Sequence, residues 1–273
     1  MNFFKIIFNF YINASIHVGF TVYAFVRITE QYFRLSYNEN LNYFIFFGTI
    51  TGYNFVKYAS VAKLHHRRLT KNLKIIQIFS FFCFIGMGYY GYLIPKNTLL
   101  YIIPLILLTF LYAVPFLSGF HKSLRQVSYL KIVVVALVWT GFTVLIPLVD
   151  VDREISINIM LIMLQRFLIV VVLIVPFDIR DVKYDAISLQ TIPQKIGIRN
   201  AKKLGLMLLV LSLVLEYLFT NSNVLKTPFM IFFFLLIILL MRAKTDQSKY
   251  YSSFWVESLP IVWWLLLLGF HNF

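Results

Sequence analysis

The chain has 273 residues, of which 60% are hydrophobic and only 13% are charged. Soluble domains carry about 25% charged and about 45–50% apolar residues, so a water-soluble fold could not bury this much apolar surface. The formal net charge of +14 would suggest nucleic-acid binding in a soluble protein, but no segment reads as a soluble basic domain. We therefore expect an integral membrane protein whose cations face membrane lipids, with no nucleic-acid partner.

Long apolar runs follow one another along the chain, separated by short polar breaks. Each approaches the length of about 20 apolar residues that a transmembrane helix needs, and none shows the two-residue alternation of a barrel strand. The predicted spans are nine, at 10–33, 41–62, 75–94, 98–117, 129–149, 156–177, 202–220, 224–242 and 253–271. The sequence thus predicts an all-α polytopic membrane protein in which residues 1–273 form a single transmembrane domain.

Lysine and arginine are unevenly distributed between the two sides of this arrangement. Most of them lie in the N-terminal tail and in the loops after the second, fourth, sixth and eighth spans. Cytoplasmic loops carry an excess of Lys and Arg. We therefore expect a cytoplasmic N-terminus, an external C-terminus and an odd number of spans, in a bacterial cytoplasmic membrane.

Three aspartates stand at the cytoplasmic end of the sixth predicted span. Asp178, Asp181 and Asp185 are spaced i, i+3 and i+7, which places them on one face of a helix. Their carboxylate oxygens suit Mg²⁺, which typically binds through one or two carboxylates together with substrate phosphates. The spacing is equally compatible with a solvated helix end whose acids pair with Arg180 and Lys183.

Polar residues inside two predicted spans are further candidates for substrate contact. Arg166 falls near the middle of the sixth span, where a charge costs at least about 2.5–3.5 kcal/mol. It either forms a structural ion pair with Glu216 or contacts and polarises the substrate. Asn13 and His17, at i and i+4 in the first span, either bind a polar group of the substrate or form an interhelical hydrogen bond.

The aspartate run, followed by Gln190-Thr191-Ile192-Pro193-Gln194-Lys195-Ile196-Gly197, resembles the second aspartate-rich motif of the UbiA superfamily of intramembrane prenyltransferases. The resemblance implies nine helices around a central cavity, with two motifs on cytoplasmic loops after the second and sixth helices. It also implies transfer of an isoprenyl group from a prenyl diphosphate to a lipophilic acceptor, such as an aromatic one. Asp178, Asp181 and Asp185 would then hold Mg²⁺, with Asp181 and Asp185 acting as catalytic residues.

The first aspartate-rich motif of that family is degenerate in this chain. Aligning its asparagine with Asn54 puts its three aspartate positions on Phe55, Tyr58 and Ala62. Every carboxylate of the motif is therefore missing, while basic residues remain around it.

Cations in place of these carboxylates suggest direct binding of the diphosphate. We expect Asn54, Lys57 and Arg67 to contact the substrate from this side and Lys183 to contact it from the other. The alternative is a catalytically inactive relative that binds an isoprenoid lipid.

Overall fold

The computed structural model describes residues 3–64, 71–114, 130–183, 191–220 and 222–271. Helices account for most of these residues, and no strand occurs among them. The predicted all-α class is therefore confirmed. Two predicted site residues, Arg67 and Asp185, lie outside the described residues.

The helices are numbered here in chain order. They are α1 (Phe3–Asn13), α2 (Ile16–Phe33), α3 (Glu39–Leu64), α4 (Lys71–Tyr92), α5 (Lys96–Ala113), α6 (Leu130–Thr140), α7 (Ile146–Val149), α8 (Ile157–Asp181), α9 (Ile192–Ile196), α10 (Ile198–Phe219), α11 (Asn223–Arg242) and α12 (Leu259–His271). A π-helical segment, Gly141–Leu145, joins α6 to α7, and another, Tyr251–Val256, precedes α12.

Several of these helices are long and apolar enough to cross a membrane. Among the described residues six segments qualify, and a seventh is added if α1 and α2 together form one bent span. The six are Leu73–Tyr92, Lys96–Ala113, Leu130–Val149, Ile157–Asp181, Asn223–Arg242 and Tyr251–Phe270. All nine predicted spans overlap helices, but α3 and α10 are not among the segments that qualify. An integral, multi-pass membrane protein is supported, while the count of nine spans and the central cavity stay predictions.

Helix α8 lies at the centre of the bundle. It packs against α6, α10 and α11, and residues along its length, including Ile169, Val172 and Ile179, are fully buried. Two thirds of its most apolar stretch is buried inside the protein, a larger share than in the other qualifying spans. The fold therefore places the aspartates that end α8 at one end of the central helix.

We expected residues 10–33 to form one helix, but they belong to two helices that are separated by a break. Helices α1 and α2 meet at an angle of 56°, and Ser15 between them has a left-handed backbone with φ of 60°. The break removes the helical hydrogen-bond partners of nearby carbonyl groups, which lipid cannot replace. Side chains of α3 replace them.

Candidate functional site

Two of the three aspartates, Asp178 and Asp181, lie within the described residues, and both pair with cations. The Lys131 Nζ of α6 donates to Asp178 Oδ1 at 2.9 Å, and the Asp178 side chain is only 1% exposed. The Arg180 guanidinium donates twice to Asp181, through Nε to Oδ1 at 2.7 Å and through Nη2 to Oδ2 at 3.0 Å. The Asp181 side chain is 31% exposed, so it is the more accessible carboxylate of the two.

The donor chemistry at this helix end fits a magnesium ion in part. Carboxylate oxygens are the right ligands, and Asp181 is accessible to solvent. Asp178 is instead buried against Lys131, a partner that sequence reasoning missed because Lys131 was considered only as a topology signal. No group of three His, Cys, Asp or Glu side chains forms within the described ranges, and α8 itself ends at Asp181, before the position of Asp185.

The predicted substrate-binding residues of α3 cap the break between α1 and α2. Asn54 is buried; its Nδ2 donates to the Ala14 carbonyl at 3.0 Å and its Oδ1 accepts from Ser15 Oγ at 2.9 Å. The Lys57 Nζ donates to the same Ser15 Oγ at 2.9 Å, and Tyr58 OH donates to the Asn13 carbonyl at 3.1 Å. Asn54 therefore has a structural role that the sequence did not reveal.

Glu257, just before α12, connects the α3 and α8 sides of the site. Its carboxylate interacts electrostatically with Lys57 of α3 and with Arg180 of α8. Tyr11 and Tyr53 lie within the same electrostatic neighbourhood. Lys57, Arg180 and, through Arg180, Asp181 thus lie around one acid that was not among the predicted site residues.

Asn13 and His17 do not share a helix face, because the break at Ser15 separates them. Asn13 ends α1 and contributes its carbonyl to Tyr58. The buried His17 ring accepts from Tyr11 OH at Nδ1, 2.8 Å away, and donates from Nε2 to the Phe254 carbonyl at 3.1 Å. His17 therefore fastens α1 and α2 to the π-helical segment Tyr251–Val256.

Arg166 lies in an aromatic environment inside the bundle. Its Nη1 donates to the Phe25 carbonyl at 3.0 Å, and its guanidinium lies 4.2 Å from the Phe25 ring centroid and 5.4 Å from that of Trp263.

Glu216 and Arg166 are close enough for their charges to interact, but no ion pair joins them among the contacts of the described residues. The Glu216 carboxylate is held by Tyr32 OH at 2.9 Å and by Gln165 Nε2 at 2.7 Å. Arg166 and Glu216 therefore bond to other groups of the bundle, and substrate contact by Arg166 stays a prediction. Lys183 lies exposed in the turn after α8.

Solved structures with the same arrangement of helices supply the comparison. A digeranylgeranylglyceryl phosphate synthase aligns with a TM-score of 0.57 at 15% identity, over 97% of this chain and 96% of that one. A UbiA homologue from Archaeoglobus fulgidus aligns with a TM-score of 0.58 at 10% identity, over 97% and 99% of the two chains. A UbiA homologue from that organism bound to GPP and Mg²⁺ gives 0.58 at 12% identity, over 97% and 100%. A scan of protein-family models and a search of curated proteins find no match.

Proposed function

We propose that this chain, which has the fold of the UbiA homologues, transfers an isoprenyl group from a prenyl diphosphate to a lipophilic acceptor in the membrane. The observation that carries the proposal is that Lys57 of α3 and Arg180 of α8 both lie close enough to Glu257 for their charges to interact, while Arg180 is bonded to Asp181. A diphosphate group requires cations and a metal-binding carboxylate in one place. One of the structural neighbours was solved with GPP and Mg²⁺ bound.

In the proposed reaction the bond between the allylic carbon and the diphosphate oxygen breaks, and its electron pair leaves with the diphosphate. Lys57 and Arg180 would donate to the oxygens on which negative charge develops, which stabilises the transition state. Lys57 would exchange its hydrogen bond with Ser15 for one with phosphate. The acceptor then forms a bond to the allylic carbon and releases a proton.

Magnesium, held by Asp181 together with Asp185, would add positive charge that polarises the leaving diphosphate. Asp178 would keep its buried bond to Lys131 and hold the end of α8 in place. Lys183 and Arg67 are further candidates for phosphate contact. Asn54 would act indirectly, by fixing α3 against the break at Ser15.

A catalytically inactive protein that binds an isoprenoid lipid is the second candidate. Two observations favour it: Asp178 and Asp181 already pair with cations, and Phe55 and Tyr58 occupy positions where the family motif has aspartate. In that case the basic residues would bind a lipid phosphate without breaking its bond to carbon.

Binding and turnover of prenyl diphosphates, measured separately on the purified protein, distinguish the two candidates. We would incubate it with GPP and longer prenyl diphosphates, together with a total membrane lipid extract that supplies acceptors, with and without Mg²⁺, and measure binding by calorimetry and release of inorganic diphosphate. For an enzyme we expect Mg²⁺-dependent release, which Asp181→Asn reduces by about 10²–10³, as expected for loss of an electrostatic stabiliser of the transition state. Glu154→Gln, at an exposed acid near the opposite end of α8, is the control and should leave release unchanged.

Binding without release by the unmodified protein would establish the inactive alternative. If no prenyl diphosphate binds with or without Mg²⁺, both candidates are wrong and only the fold remains.

A further inference from the structure

A pocket lies where α11 ends, on the same side of the bundle as the end of α8. Its volume is about 280 Å³, and its lining residues are Leu239, Arg242, Lys244, Gln247, Ser248 and Tyr251. Gln247 Nε2 donates to the Pro176 carbonyl of α8 at 3.1 Å, which fixes the pocket against the central helix. None of its lining residues belongs to the proposed prenyl-transfer site.

Three cations surround this pocket without a matching acid. Among the described residues, neither Arg242 nor Lys244 forms an ion pair with a carboxylate, and Asp246 of the same loop pairs with neither of them. Lys202 of α10 adds a third positive charge; its Nζ donates to the Met241 carbonyl at 2.7 Å, and it lies close enough to Lys244 to repel it.

The end of α11 offsets only part of this charge. The C-terminus of a helix carries the equivalent of roughly −0.5 elementary charge, and Asp246 of the same loop adds one negative charge, against three full positive charges. The pocket is therefore short of negative charge, and a bound anion would supply it.

The loop that forms the pocket is held in place by its own hydrogen bonds. The Lys244 backbone N–H donates to Gln247 Oε1 at 3.2 Å. Tyr251 OH donates to the Leu239 carbonyl at 2.7 Å. Because these contacts order the loop before any ligand arrives, binding would cost little conformational entropy.

An apolar strip leads away from the pocket along α11. Phe234, Ile238 and Met241 are 55%, 49% and 48% exposed, and their spacing of i, i+4 and i+7 puts them on one face of the helix. A basic pocket between membrane helices above an apolar face matches the two ends of a phospholipid.

We propose that this pocket binds the phosphate headgroup of an anionic membrane phospholipid, whose acyl chains lie along Phe234, Ile238 and Met241. A free phosphate ion shares the headgroup chemistry but would not use the apolar strip. General attraction of the basic side of the protein to anionic lipid would not depend on Arg242 and Lys244 in particular.

Thermal unfolding in lipid nanodiscs tests the proposal. We would compare nanodiscs of phosphatidylcholine alone, phosphatidylcholine with phosphatidylglycerol, and phosphatidylcholine with inorganic phosphate in the buffer. Phosphatidylglycerol should raise the midpoint of the unmodified protein by several degrees and that of R242Q/K244Q by much less. The control, R199Q/K203Q, removes the same charge from exposed residues of α10 and should respond like the unmodified protein.

Lipid retention provides a second measurement that does not depend on the stability of the variant. Native mass spectrometry should show phosphatidylglycerol retained by the unmodified protein and by the charge-preserving R242K/K244R, but lost from R242Q/K244Q. Equal midpoint shifts in R242Q/K244Q and R199Q/K203Q would overturn the proposal in favour of general attraction. A shift of equal size with inorganic phosphate alone would overturn it in favour of a soluble anion. Neither outcome depends on prenyl transfer.

Discussion

Lys131 and Asp178 form the most deeply buried ion pair at the site for which the structure gives a distance. Asp178 is 1% exposed and Lys131 23%. Removing one partner of a buried pair costs about 3–5 kcal/mol because the other charge stays in a low dielectric, whereas exposed pairs contribute about 0–1 kcal/mol. Because Lys131 is partly exposed, we expect the contribution of this pair to stability to lie between those two values.

We therefore predict that Lys131→Met lowers the free energy of unfolding by between about 1 and about 3 kcal/mol, the gap between those two classes of ion pair. Adding Asp178→Asn to that variant should recover most of the loss, since no buried charge would remain. Thermal unfolding in detergent checks both. Lys96→Met, at an exposed lysine, should change little; a loss as large as that of Lys131→Met would show that the ion pair is not the cause.

Asn54 of α3 makes two of the hydrogen bonds that hold the break between α1 and α2. The Asn54 side chain forms hydrogen bonds with both the Ala14 carbonyl and the Ser15 hydroxyl, and Asn54 is only 3% exposed. A buried polar group left without its partner costs about 1–3 kcal/mol. The break is thus maintained by tertiary contacts as well as by the backbone of Ser15.

We predict that Asn54→Ala destabilises the protein by about 1–3 kcal/mol, the cost of leaving those groups unsatisfied. It should also make α1 more accessible to protease in detergent, because Asn54 holds the start of α2 against α3. Unfolding midpoints and the cleavage rate within residues 3–13 are the measurements. Asn97→Ala removes an exposed asparagine and should alter neither; cleavage as slow in Asn54→Ala as in the unmodified protein would contradict this role.

The helices could be predicted from the sequence, but the contacts between them could not. Apolar runs are a local signal, and each predicted span overlaps a helix. The break at Ala14 and Ser15 carries neither Gly nor Pro, so nothing local marks it. Asn54 was assigned to the substrate because its partners, about 40 positions earlier in the chain, are visible only after folding. Lys131 escaped notice for the same reason.

At the scale of the whole molecule, one arrangement of helices occurs with very different sequences. The structural neighbours share 10–15% identity with this chain yet align over 97% of it. In lipid, each helix satisfies its own backbone hydrogen bonds, so many apolar sequences can form the same bundle. The likeness to these structures therefore shows the arrangement of the helices and not the chemistry, which depends on the few polar side chains that the bundle brings together.

The two ends of the bundle differ in charge, which leads to a prediction about orientation. Thr98 at the start of α5 donates to Asp150 at 3.0 Å, so Lys96 and Glu154 mark one end. Gln247, bonded to Pro176 of α8, places Lys244 at the other end with Lys183. The sequence predicts that the end with Lys183 and Lys244 is cytoplasmic.

Single cysteines test this orientation directly, because the natural chain has one cysteine, Cys83, which can be replaced by alanine. A membrane-impermeant maleimide added to intact cells, with the outer membrane removed where there is one, should label Lys96→Cys and Glu154→Cys. It should label Lys183→Cys and Lys244→Cys only after the membrane is permeabilised. The Cys83→Ala background shows the unspecific signal. Labelling of Lys183→Cys from outside would contradict the predicted orientation and put the aspartates that end α8 on the external surface.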